Sequence, residues 1–169
     1  MKTVNILLIS CCLLFATRAA AQKNAMDTAV RYIKVPAGYL MVLRQGDDVL
    51  AQIESLAVKE NIPSANFAGM GFVNARFGFF NFETKEYEPK QFDNVELASM
   101  RGSIAWKEGK VSIHAHGVVT DREFKAWGGH MLNATVGTGS VEILITVHDK
   151  KLERKMEDPP GANVLQLSE

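Results

Sequence analysis

The chain has 169 residues with 19 basic and 19 acidic side chains, so its formal net charge is zero. This length suits one domain with a single hydrophobic core, and the balanced charge argues against a protein that binds nucleic acid through a general excess of basic residues. Both cysteines, Cys11 and Cys12, lie near the N-terminus, so the rest of the chain is predicted to fold without a disulfide.

The N-terminal segment has the order of features that is typical of a secretory signal peptide. Lys2 supplies the positive start, residues 4–15 form an apolar core, and three alanines at 19–21 fit the small-residue rule for cleavage. We therefore predict a signal peptide over residues 1–21, a short tail over residues 22–28, and export to the periplasm or the medium. Lipid attachment at Cys11 is the alternative, but the residues that follow Cys11 are apolar rather than a polar tether.

Cleavage after Ala21 changes the composition of the mature chain. Basic residues fall from 19 to 17 while all 19 acidic residues remain, so the mature chain has a net charge of −2 and no cysteine. Such a domain has no general attraction to DNA, and we expect DNA to be a poor partner. No later apolar segment reaches the length of about 20 residues that spans a bilayer, so no membrane span is predicted.

Residues 29–169 are predicted to form one compact α+β domain, in which a largely antiparallel sheet is flanked by one or two helices. Strands over 30–35 and 38–43 form an opening hairpin. Asp47 and Asp48 then supply helix-capping chemistry ahead of apolar residues at three- and four-residue spacing. These apolar residues are Val49, Leu50, Ile53, Leu56 and Ala57.

From residue 64 onward, β-forming residues dominate the sequence. The predicted strands cover residues 65–75, 76–82, 87–92, 95–106, 110–119 and 141–147, and a short apolar segment over 162–167 closes the chain. An aromatic run is predicted to belong to the core or to a subunit interface rather than to a nucleic-acid surface, because basic residues are not densely interleaved with it. The run consists of Phe77, Phe79, Phe80 and Phe82.

Three of the four histidines gather around one predicted hairpin. His114 and His116 share one face of a strand, since successive side chains of a strand point to opposite sides. Residues 120–123 are polar and permit a reversal, after which Gly128 and Gly129 permit close packing before His130. Three neutral imidazoles suit Zn²⁺ and leave a fourth position open, so His114, His116 and His130 are the predicted ligands of a divalent metal, with zinc preferred.

The metal prediction depends on His130 returning to the other two histidines, because isolated histidines on strands are usually ordinary polar residues. His148 lies at a predicted strand end and is expected to be solvated rather than a fourth ligand. Asp121, Glu123 and Glu142 are weaker candidates for proton transfer or for orienting the imidazoles. The alternative for all three acids is an ordinary surface position.

The order of the motifs resembles that of the PPC (plants and prokaryotes conserved) domain family over roughly residues 29–148. The resemblance is carried by YLMVLRQGDDVLAQIESLAVKENI, SANFAGMGFVNAR, ELASMRGSIAWKEGKVSIHAHGVVTD, WGGHMLNATV and VEILITV. It implies a single α+β domain that assembles as a homotrimer. Plant members carry AT-hook segments and bind DNA, whereas this chain has no AT-hook and resembles the prokaryotic branch, in which the histidines are present.

Arg44 also resembles a residue near a family pocket, where a guanidinium would hold a carboxylate or phosphate ligand. The alternative is a surface salt bridge to Asp47 or Asp48.

Three functions remain open. The first is a homotrimer whose metal site binds a small ligand or activates water, the second is a noncatalytic scaffold or binding module, and the third is the DNA binding that the family label suggests. Fold similarity does not transfer an activity, so the choice among these functions depends on the residues of the site.

Overall fold

The computed structural model describes residues 29–159 and 161–167. The predicted signal peptide over 1–21, the tail over 22–28 and the alternative lipid site at Cys11 lie outside the described residues. The unit that begins at Tyr32 contains, in chain order, β1 (Tyr32–Val35), β2 (Gly38–Arg44), α1 (Val49–Lys59), β3 (Ser64–Asn81), β4 (Glu86–Lys107), β5 (Lys110–Thr120), β6 (Ala126–His148), β7 (Glu153–Glu157) and β8 (Ala162–Gln166).

The predicted α+β class is wrong, because the described part of the chain is mostly β-sheet. All eight strands belong to one sheet, and the 11-residue α1 is the one helix that the described residues form. Every strand pair is antiparallel except β4 with β7, which is parallel. Within residues 29–159 and 161–167, no helix has the length and apolar character needed to cross a bilayer.

Three strands are longer than the sequence predicted. The segments predicted as strands over 65–75 and 76–82 form the single strand β3, and those over 87–92 and 95–106 form β4. Strand β6 begins at Ala126, well before the predicted start at residue 141. The positions that indicated turns are instead β-bulges, where the register of β3 shifts against its neighbours while pairing continues.

Gly71 shows why a glycine inside a strand need not end it. A Cβ at Gly71 would lie 2.2 Å from the backbone oxygen of Ser140 on β6, so the close approach of β3 and β6 requires glycine there. Glycine in a strand interior often marks such an approach or a bulge rather than a turn. The strand therefore bends and continues.

The pairing of the four long strands closes a ring. Strand β3 pairs with β4 and β6, and β5 pairs with the same two strands from the other side. Strands β1 and β2 extend the sheet from β6, and β7 and β8 extend it from β4. Because β5 is held between β4 and β6, a residue in the middle of β5 has fixed neighbours on both sides.

Helix α1 forms as the sequence predicted and covers the core side of β5 and β6. The carboxylate of Asp48 caps the helix by accepting a hydrogen bond from the Ala51 amide at 2.9 Å. Its buried face consists of Val49, Ile53, Leu56 and Ala57. On β5 the buried residues Ala115, Gly117 and Val119 alternate with exposed ones, so this strand has one core face and one outer face.

Candidate metal centre

Strand pairing brings the three histidines together on the outer face of the sheet. His116 on β5 lies directly opposite His130 on β6, and His114 precedes His116 by two residues on the same face. His114 and His116 are exposed, while His130 is half-buried. The predicted alternation along β5 is confirmed, and the position of His130 follows from the register between β5 and β6.

The imidazole nitrogens of the three histidines converge. One ring nitrogen from each of His114, His116 and His130 lies within 4.8 Å of the others, and no carboxylate of the described residues joins the group. The Nε2 atoms of His114 and His116 are 3.2 Å apart. Two nitrogens bound to one tetrahedral zinc at about 2.0–2.1 Å would be about 3.3 Å apart, so this pair already has a spacing that suits one ion.

The protonation state of the centre also suits a metal. Burial, followed by the charges of His114 and His116, lowers the pKa of His130 to about 4. The pKa of His114 is also lowered, although part of its surface is exposed. The largest cause is the burial of its ring, followed by the charges of Arg154 and His116. Both imidazoles are therefore neutral at neutral pH, which leaves nitrogen lone pairs free for a cation.

The predicted reversal between β5 and β6 is built around Asp121. Its carboxylate Oδ1 accepts hydrogen bonds from the amides of Glu123 at 2.9 Å and Lys125 at 3.0 Å. Gly128 then lets β6 approach β5, since a Cβ there would lie 2.5 Å from the carbonyl oxygen of Gly117. The turn and the close approach together set the register that places His130 opposite His116.

The three acidic candidates lie away from the histidines. Asp121 and Glu123 belong to the turn beyond Thr120, and the four residues from His116 to Thr120 span about 13 Å of strand. The Glu123 carboxylate pairs with Lys125 at 2.6 Å on the exposed surface. Glu142 is exposed on β6 opposite Met70 of β3, so none of the three carboxylates joins the ligand group.

Arg44 and His148 also lie outside the centre. Arg44 is exposed at the end of β2 opposite Ser140, and within residues 29–159 and 161–167 no ion pair includes its guanidinium. The nearby carboxylate of Asp47 instead accepts a hydrogen bond from the backbone amide of Arg44 at 2.8 Å. His148 lies opposite Ser64 at the far end of β6 and does not belong to the three-histidine group.

Two neighbours of the centre carried no recognisable signal in the sequence. Tyr87 of β4 stacks on His130, with ring centroids 4.7 Å apart and planes inclined by 13°. Arg154 of β7 is buried and donates a hydrogen bond to Ser103 of β4, the residue directly opposite His114. Both contacts join residues more than 40 positions apart, so no local motif could have indicated them.

Comparison with known proteins identifies a family and several similar structures. The family model that matches residues 31–149 is described as the Plants and Prokaryotes Conserved (PCC) domain. No curated protein matches the chain. A protein of Ralstonia eutropha JMP134, provisionally described as DNA-binding, is 57% identical, with 82% of this chain and 96% of that chain covered and a TM-score of 0.81.

Two archaeal structures are also similar. A plant- and prokaryote-conserved (PPC) protein of Pyrococcus horikoshii is 30% identical, with 78% of this chain and 92% of that chain covered and a TM-score of 0.70. A protein of Archaeoglobus fulgidus described as metal-containing is 26% identical, with 83% of this chain and 100% of that chain covered and a TM-score of 0.70.

Proposed function

The chain belongs to the Plants and Prokaryotes Conserved (PCC, also PPC) domain family, and from that premise we propose that it is an exported protein whose three-histidine centre binds one divalent metal ion, with zinc preferred. The convergence of nitrogens from His114, His116 and His130 within 4.8 Å carries the proposal. The similar Archaeoglobus fulgidus protein is described as metal-containing, which supports it.

The chemistry of the centre favours ligand binding. When bound, the ion supplies Lewis-acid chemistry at the position that three imidazoles leave open. The described residues bring no carboxylate into the group of ligand nitrogens, and Asp121 and Glu123 lie beyond a strand segment of about 13 Å. Activation of water needs a base within hydrogen-bonding reach, so we propose that the centre binds a small ligand, with hydrolysis as the alternative.

Metal analysis of the purified mature chain, residues 22–169, tests the proposal. We expect about one zinc ion per chain after removal of free metal. Replacing His114, His116 or His130 individually with Ala should reduce the zinc content sharply, whereas His148→Ala is the matched control and should leave it unchanged. Stoichiometric zinc in the variant that lacks all three histidines would contradict the site and favour a noncatalytic binding module.

We also propose that the protein self-associates as a homotrimer, as the family resemblance implies. An aromatic patch, defined as Phe80, Phe82 and Tyr87, leaves 62% of Phe82 and 41% of Tyr87 exposed. Phe80 contacts both Phe82 and Tyr87 with ring centroids 5.2 Å apart, which makes the patch continuous. Contiguous exposed aromatic surface is typical of an interface. Because Tyr87 stacks on His130, a second copy on this patch would border the metal centre.

DNA binding is the second candidate, because the 57% identical Ralstonia eutropha protein is provisionally described as DNA-binding. The charge of the mature chain opposes it, since 17 basic residues face 19 acidic ones. We therefore expect duplex DNA of random or A·T-rich sequence to bind no more tightly than the non-specific range of about 10⁻⁴ to 10⁻⁶ M at physiological salt. Nanomolar, sequence-dependent binding in a titration would establish the DNA function instead.

A further inference from the structure

A buried arginine lies beside the metal centre without a full set of partners. Arg154 of β7 is only 7% exposed, and it lies beyond the matched family region of residues 31–149. Its Nη2 donates a hydrogen bond to the hydroxyl oxygen of Ser103 at 2.6 Å. Its Nε is buried and has no hydrogen-bond partner among the described residues. A guanidinium has five N–H donors, and among the described residues Arg154 has Ser103 as its one hydrogen-bond partner.

The charge of Arg154 is also uncompensated. The side-chain ion pairs found within residues 29–159 and 161–167 join Lys125 to Glu123 and Lys151 to Glu153, and neither includes Arg154. Burial lowers the pKa of Arg154, and no acidic group of the described residues opposes that effect. Buried charges in proteins are normally paired, so this guanidinium has the properties of a group that receives an anion from outside the chain.

The position of Ser103 connects the arginine to the histidines. Ser103 on β4 lies directly opposite His114 on β5, and residues paired across a sheet point to the same face. The bond from Arg154 to Ser103 therefore places the guanidinium at the border of the three-histidine centre. The charge of Arg154 also contributes to lowering the pKa of His114, as expected for a neighbouring cation.

We propose that Arg154 and Ser103 form an anion subsite beside the metal centre, and that the subsite takes the carboxylate or phosphate group of a small ligand whose other oxygen atom approaches the metal. The subsite deepens the proposed function. Only the approach of the ligand's other oxygen atom to the metal rests on that proposed function. A guanidinium presents N–H groups in a planar fork that matches the two oxygens of such groups, which a lysine does not.

A purely structural role for Arg154 would be to attach the hairpin of β7 and β8 to β4. That attachment is already made by the backbone, because the Trp106 amide donates to the carbonyl of Leu152 at 2.9 Å and Trp106 pairs with Glu153 in the sheet. Attachment through Ser103 also leaves the unpaired Nε unexplained. An external anion accounts for both the buried charge and the free donors.

Calorimetric titration of the zinc-loaded mature chain with malonate and, separately, with inorganic phosphate tests the subsite. The variants are Arg154→Gln, Arg154→Lys and the control Lys155→Gln, which removes the same charge from an exposed neighbour on β7. We expect Arg154→Gln to weaken binding of the preferred anion by at least about tenfold, because hydrogen bonds to a charged group are lost. Arg154→Lys should bind with intermediate affinity, and Lys155→Gln within about twofold of the wild type.

The outcomes separate the subsite from the metal proposal. Tighter binding of malonate would assign a carboxylate ligand, and tighter binding of phosphate would assign a phosphoryl ligand. Equal affinity in the wild type and Arg154→Gln, at equal zinc content, would overturn the subsite. If the wild type holds no zinc, the metal proposal fails, and the same titration of the metal-free protein still tests the subsite. If Arg154→Gln does not melt cooperatively, it is not folded and cannot test binding, so the comparison is made with Arg154→Lys. An anion affinity of Arg154→Lys equal to that of the wild type would then overturn the subsite.

Discussion

Tyr87 lies flat against the imidazole of His130 and reaches it across Gly78 of β3. The rings are 4.7 Å apart with planes inclined by 13°. Gly78 lies directly opposite His130 in the ladder between β3 and β6, and a Cβ on Gly78 would lie 2.9 Å from Cδ1 of Tyr87. The absence of a side chain on β3 therefore leaves space for an aromatic ring of β4 to position a predicted metal ligand of β6.

Removing the ring of Tyr87 should weaken zinc binding. Aromatic stacking contributes about 0.5–1.5 kcal/mol, so we expect Tyr87→Ala to reduce zinc affinity by about two- to tenfold. Tyr87→Phe keeps the stacking ring and should bind zinc as the wild type does. Competition with a chromogenic chelator measures both affinities, and an unchanged affinity in Tyr87→Ala would show that the stack does not position His130.

Adding a methyl group at Gly78 should have the same effect by displacing the ring. We expect Gly78→Ala to lower zinc affinity by about as much as Tyr87→Ala, and the double variant to show no further loss, because both changes remove one contact. Gly129→Ala is the matched control, since its added Cβ would meet no heavy atom closer than 3.7 Å. Additive losses in the double variant would contradict a shared mechanism.

The metal-free protein should lose stability in acid through His130. Its pKa in the fold is about 4, whereas that of an unfolded histidine is about 6.5, so the unfolded chain binds the proton more readily. The contribution of His130 to the free energy of unfolding is complete above about pH 6.5 and is lost as the pH falls towards 4. Urea unfolding of the metal-free wild type should therefore show a steeper decline over this window than His130→Gln. Parallel declines would contradict the lowered pKa.

The same pKa shift changes the expected pH of metal release. Protons compete with metal for the nitrogens of ordinary imidazoles near pH 6.5, but the lowered pKa values of His130 and His114 mean that these two rings are protonated only at lower pH. We therefore expect zinc to remain bound at pH 6 and to be released only in stronger acid.

Charge on the aromatic patch should separate the subunits. We expect the wild type to have the mass of a trimer in light scattering and Phe82→Glu to have that of a monomer, because a carboxylate would be desolvated in the interface. Val58→Glu is the control, since Val58 is 55% exposed on α1, away from the patch. A monomeric wild type at micromolar concentration would remove the interface assignment.

Protein isolated from its native host should begin at Gln22. Intact mass spectrometry would then give the mass of residues 22–169, because the predicted signal peptide ends in small residues at the predicted cleavage point. A mass that includes Met1 would contradict export. A lipid-modified Cys11 would replace cleavage after Ala21 with membrane anchoring.

Local pattern was sufficient for the elements whose signal lies within a few residues. The capping carboxylate of Asp48 and the apolar spacing after it predicted α1, and the alternation of His114 with His116 predicted their common face. The strands were harder, because the residues of a bulge and those of a turn look alike in sequence. Residues 93–94 separated two predicted strands, yet β4 continues through them with a shift of its register against β3. The α+β prediction was wrong because the described residues form one eight-stranded sheet and one helix.

The sequence by itself determined the chemistry of the candidate site, namely three imidazoles of which two share a strand face. Only the tertiary structure decided which residues surround the three histidines. The register between β5 and β6 placed His130 opposite His116. In the turn, the carboxylate of Asp121 accepts a hydrogen bond from the backbone amide of Lys125. The pairing of β3 with β4 and β6 brought Tyr87 to His130. The hydrogen bond from Arg154 to Ser103 brought the guanidinium beside the histidines, whereas Glu142 lies elsewhere on β6. Side-chain type is a local property, whereas pairing register and strand bending depend on every contact along the sheet.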